Sequence, residues 1–180
     1  EALRALVQEH FALLGPMRQE DLVRVIMEPA RIGGWAFVDG LVQQILKDVG
    51  EEPGRLPLLS HALLETWKRR SAHVMTLKGY QEAGGVEGAI SKTAEVTWRR
   101  LDSDKKRTIT QAIFMDLTEI GEGAEDTRRI ASRQELARFD QDEKVIADVI
   151  EDLVGARLIT VDGDQVEVAH EALIRHWPRL

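Results

Sequence analysis

Cysteine is absent from the 180-residue sequence, which excludes disulfides, thiolate metal sites and a cysteine nucleophile and leads us to expect a reducing, cytoplasmic setting. Long apolar runs are missing too. No stretch approaches the roughly 18 residues that a membrane helix needs, and residues 1–10 read as amphipathic rather than as a signal peptide. No membrane segment is therefore expected. Proline is scarce, with 5 residues, while 43% of the chain is hydrophobic, so the composition shows no bias toward disorder and allows one or two modest cores. Basic residues are outnumbered, 24 against 31 acidic, for a formal charge of −7. A phosphate backbone would meet net repulsion, and nucleic acid is a disfavoured partner.

Catalytic and metal-binding patterns are also lacking. A phosphate-binding loop needs G-x-x-x-x-G-K-[ST] at a strand-to-helix turn, because backbone N–H groups must cradle the phosphates while lysine neutralises them. The nearest candidate, Gly85-Val-Glu-Gly88-Ala-Ile-Ser-Lys92-Thr93, has Ser91 in place of the required glycine. It also carries Glu87, which would repel a phosphate, and no strand precedes it. His170 and His176 are six residues apart, whereas two histidines sharing a helix face for zinc stand four apart. No serine sits in a G-x-S-x-G elbow. Neither a catalytic residue nor a metal site is assigned.

What is present is helical periodicity. The short apolar run at residues 10–14 reads as the end of a strand whose partners lie upstream, so residues 1–15 are expected to be the tail of a preceding domain. Apolar residues then recur at helical spacing over 18–32, where Pro29 is expected to end or kink the helix. A helix capped by Asp39 is expected over 40–49, and one opened by Pro57 over 58–70. A further helix is expected over 89–101, after Gly84-Gly85. Residues 16–101 thus read as an all-helical bundle.

The second half, 102–180, changes character. Asp102 or Ser103 caps a helix to about 117, residues 127–131 are β-like, and Ser132 with Glu135 forms a capping box. Asp142 opens a helix with Val145, Ile146, Val149, Ile150, Leu153 and Val154 inward. Alternating runs at 158–161 and 165–169 flank Asp162-Gly163-Asp164, a strong hairpin signal. Helix, strand, two helices and hairpin make a winged helix. The expected fold is mainly α: a helical bundle followed by a winged-helix domain with a small β-hairpin.

Two local features suggest ligand contact. Pro57 is a rigid residue without an N–H at the mouth of a helix, where its ring can stack against a flat base. His170 lies where the hairpin ends and a helix begins, a position from which it can donate to a phosphate. A helix-starting proline and a capping histidine are the plain alternatives.

Here the sequence resembles a family. The stretches Leu56-Pro-Leu-Leu-Ser-His-Ala-Leu-Leu-Glu-Thr-Trp67, Gly79-Tyr-Gln-Glu-Ala-Gly-Gly-Val-Glu-Gly-Ala89 and Val166-Glu-Val-Ala-His-Glu-Ala-Leu-Ile-Arg-His-Trp-Pro-Arg-Leu180 are similar to the C-terminal part, helical lid plus winged helix, of the bacterial novel STAND NTPase module. These are AP-ATPase/NACHT-like signalling ATPases, often fused to WD or other repeats. The resemblance implies that an upstream P-loop domain in the same polypeptide binds ATP or ADP, and that this segment closes over the nucleotide and controls a conformational switch and ATP-dependent assembly. It also implies a downstream repeat sensor. Gly54 and Pro57 are similar to the lid's glycine-x-proline motif, with Pro57 on the adenine side. Ala169-His170-Glu171 is similar to a Met-His-Asp motif, with His170 and Glu171 at the phosphates. The chain departs from the pattern in one extra residue between Gly54 and Pro57, in Ala169 for Met and in Glu171 for Asp. The chain alone would not be an enzyme, while its parent would be an ATPase. The alternative is a winged-helix DNA-binding regulator, against which the acids on the expected recognition helix count.

Overall fold

A computed structural model describes residues 17–50, 55–121 and 126–180, and the expected tail at 1–15 and Gly54 lie outside them. The described chain is mainly helical. Helix α1 (Gln19–Ile32) buries Leu22, Ile26 and Ala30 and runs through Pro29. The proline therefore does not end it: the lost N–H lies near the C-terminal end, and Pro29 O still accepts from Gly33 N–H at 3.0 Å. Helix α2 (Leu41–Val49) is preceded by Gly40 at φ 82°, with no side-chain cap. The expected Asp39 cap is thus replaced by a left-handed glycine that turns the chain into the helix.

Helix α3 (Leu56–Lys68) begins two residues earlier than expected, with Pro57 in its first turn. Its buried face holds Leu58, Leu59 and Ala62 but also His61, Glu65 and Thr66. Glu65 is paired with Lys68 and Arg69, both at 2.6 Å, as a buried carboxylate must be. The first half is not purely helical. Strands β1 (Ala36–Phe37) and β2 (Val74–Met75) pair in parallel, and a short helix α4 (Leu77–Ala83), capped by Thr76, precedes α5 (Gly85–Arg100). The segment once compared with a phosphate loop is continuous helix within α5, and Lys92 Nζ donates to the carbonyls of Gln81 and Glu82.

In the second half α6 (Asp104–Asp116) is capped by Ser103, whose Oγ accepts from Lys106 N–H. The β-like stretch splits in two: β4 (Thr127–Arg128) pairs with β3 (Thr118–Glu119), and β5 (Ala131–Ser132) joins a different sheet. Ser132 caps α7 (Arg133–Leu136) through Glu135 N–H, while the Glu135 carboxylate takes Arg129 at 3.0 Å rather than closing the box. Asp142 caps α8 (Glu143–Gly155), which buries Ile146, Val149, Ile150 and Leu153. Val154, expected inward, is 38% exposed. Strands β6 (Ile159–Asp162) and β7 (Gln165–Val168) form the expected hairpin, turning at Gly163 with φ 59°. The sheet order is β5-β7-β6.

Helix α9 (Glu171–His176) carries the chain back onto α5. Trp177 packs edge to face against Trp98 and Phe114, Ser91 Oγ donates to His176 O, and Arg179 grips Glu95 with two hydrogen bonds of 2.7 and 2.8 Å. One continuous apolar core includes Leu59 and Ile90 from the first half and Phe114, Leu153 and Trp177 from the second. No described helix is long and apolar enough to cross a membrane.

Candidate functional site

The return of α9 onto α5 brings the hairpin against α3. Between them lies a cleft of about 530 Å³. Pro57, Ser60 and His61 form one wall, and Val154, Arg157, Thr160 and His170 belong to the other. Pro57 and His170, singled out separately in the sequence, therefore share one cleft. Glu171 does not line it: as the first residue of α9 it stands 3.8 Å from Arg175, one turn on. Gly54 lies outside the described residues.

His61 is the residue the sequence reading missed. Pro57 and His61 are one helical turn apart on α3, so their side chains share a face, and that spacing was the available signal. The ring is 4% exposed. Its Nε2 lies 2.9 Å from Thr93 Oγ1, and that hydroxyl already donates its hydrogen to Ala89 O. Nε2 must then carry the proton and donate, which leaves Nδ1 as a bare acceptor. Nδ1 is buried and has no hydrogen-bond partner among the described residues. Burial pushes His61 down from 6.5 to about 4, with a smaller contribution from the nearby His170.

His170 sits between Val168 at the end of β7 and Glu171 at the start of α9. Its ring meets that of His61 at a centroid distance of 6.3 Å and an interplanar angle of 73°. Burial lowers its pKa, and Arg128 lowers it further. Both rings are therefore neutral near pH 7, and the N–H of His61 is already given to Thr93. Among the described residues no carboxylate lines this cleft, although the chain as a whole is acidic.

Such a site can hold an anion or a polar ring between a rigid proline and two imidazoles. Comparison with known proteins decides what kind of chain presents it: the Novel STAND NTPase 1 family matches residues 1–180, the whole chain. The chain belongs to that family. No curated protein and no solved structure matches it. In this member of the family the two resembling motifs, at Pro57 and at His170, lie on elements far apart in sequence and meet only through the packing of α3 against the hairpin.

Proposed function

We propose that this segment is the regulatory, nucleotide-sensing part of a STAND-type signalling ATPase. Residues 16–101 act as a helical lid and 102–180 as a winged helix, and together they close over ADP or ATP held by an upstream P-loop domain. The winged-helix part of this reading is supported by α6, β5, α7, α8 and the β6–β7 hairpin, with β3 and β4 inserted after α6 and a β5-β7-β6 sheet. The single observation that supports the reading most is the shared cleft of Pro57 and His170. A cleft that no carboxylate lines among the described residues suits a phosphate, since no like charge there has to be overcome. A nucleotide brings to the site the negative charge whose presence or loss the switch senses. Pro57 offers an apolar edge to the base, and His170 donates its N–H to a phosphate oxygen. Glu171 lies one residue from His170 and steadies the first turn of α9 through its ion pair with Arg175. Assembly with further copies and a repeat sensor downstream, in the cytoplasm, belong to the same reading.

The DNA-binding alternative is weaker. The solvent side of α8 carries Asp142, Glu143, Glu151 and Asp152, all exposed, against Lys144, and those acids oppose a phosphate backbone.

The deciding experiment uses the full-length protein loaded with ADP. In His170→Ala, ADP release should accelerate by about one to two decades, as expected for a lost hydrogen bond to a charged group. The melting temperature should be preserved. Since the contact exists only in the closed form, the variant should also populate the open, signalling form. An unchanged release rate, or a collapsed melt, defeats the reading.

A further inference from the structure

Arg157 has a left-handed backbone, φ 58°, in a position where an L side chain is strained. It follows the last turn of α8, where Arg157 N–H bonds to Val154 O and Leu158 N–H to Leu153 O, both at 2.9 Å. Helices that end in this reversal usually place glycine there. Gly155, two residues earlier, is spent inside the helix instead. Such strain is retained where the side chain has a use.

The position of that side chain suggests the use. Ile159 pairs with Val168 in the hairpin, and Ala169 N–H donates to Leu158 O at 2.9 Å. Arg157 precedes Leu158 and His170 follows Ala169, so the two residues flank the open end of the same ladder. Arg157 is exposed and lines the cleft, and its positive charge is close enough to help depress His61. No ion pair holds it among the described residues, whereas Arg69, Arg129 and Arg179 all have carboxylate partners. The two imidazoles of the cleft are neutral near pH 7, so among the described residues that line it the full positive charge is that of Arg157. A phosphate dianion is held best by a guanidinium, whose planar fork meets two oxygens at once.

We propose that Arg157 is a further phosphate-binding residue of this cleft, its guanidinium taking two oxygens of the terminal phosphate of a nucleoside diphosphate beside His170. This rests on the reading of the cleft as the surface that faces the nucleotide. The backbone strain is then the cost of aiming a long cation into the cleft from the end of α8.

The test follows from the strain. In the full-length protein, Arg157→Gly relieves the left-handed backbone and removes the charge, so its melting temperature should stay level or rise. ADP release should nonetheless become about ten- to hundredfold faster, the range expected for a charge-assisted contact. Release of AMP, which has no second phosphate, should be unchanged. Arg157→Lys, with the charge but not the fork, should fall between. ADP release unchanged in Arg157→Gly overturns the proposal; if His170→Ala still accelerates release, the reading of the cleft survives, and if it does not, that reading falls as well. A lowered melting temperature with AMP and ADP release accelerated alike also overturns it, because Arg157 would then act on the fold.

Discussion

His61 on α3 and His170 at the start of α9 meet edge to face, with ring centroids 6.3 Å apart and an interplanar angle of 73°. The contact ties the helical half to the hairpin half, and His61 Nδ1 beside it is buried without a hydrogen-bond partner among the described residues. An unsatisfied acceptor of this kind is a weak point in a packed interior.

Acid should expose that weakness. The folded-state pKa of His61 is about 4, against an ordinary 6.5, so protonation favours the unfolded chain. The contribution of His61 to stability is full above about pH 6.5 and declines as pH falls toward 4, by about 3 kcal/mol in total. His170 is shifted in the same direction. Melting temperatures measured between pH 7.5 and 4.5 should therefore fall, and His61→Gln should flatten part of that slope. An identical slope in the variant would show that His61 does not titrate in this window.

Pro57 makes a different prediction. Its ring fixes the first turn of α3 and spends no backbone donor. Pro57→Ala should cost only about 0.4–1 kcal/mol, chiefly by freeing the unfolded chain. ADP retention in the full-length protein should drop by more than that change implies. An unchanged dissociation rate would leave Pro57 a helix starter alone.

The C-terminal clasp separates packing from charge. Trp177 is 3% exposed and packs on Trp98 and Phe114, so Trp177→Ala should cost about 3–5 kcal/mol by leaving a cavity between the halves. Chemical denaturation of the variant should show the loss. A change below about 1 kcal/mol would mean that the site collapses around the gap.

Arg179 should matter far less, although its geometry is good. It holds Glu95 at 2.7 and 2.8 Å and helps keep that carboxyl down at about 2, yet both side chains reach solvent. Arg179→Ala should cost little stability, and less still at high salt. Denaturation at low and high ionic strength measures both. A large effect that salt does not touch would point to the stacking of Arg179 on Trp98 rather than to the pair.

Much of this protein was legible in its sequence because much of it is local. Ser103, Ser132 and Asp142 cap the helices they were expected to cap, since a side-chain oxygen needs only the next turn's N–H. The hairpin expected around Asp162-Gly163-Asp164 forms, with Asp162 drawn into the ladder opposite Gln165, because turn chemistry and side-chain alternation are both local. Pro57 and His170 were visible as motifs for the same reason. What the chain could not announce was everything set by distant packing. The parallel pairing of β1 with β2 rests on two residues from each strand, too few to leave a periodic signal. Pro29 stays inside α1 because the buried Ala30 anchors the last turn against the core. Val154 fits the apolar stripe of α8, but the helix ends beside the cleft and turns it outward. His61 looked like one more position on an apolar helix face, and Arg157 like a solvated charge. Only the docking of α3 against the hairpin makes them neighbours of His170, because a cleft is built from surfaces, and which surfaces meet is decided by the whole core rather than by any one element.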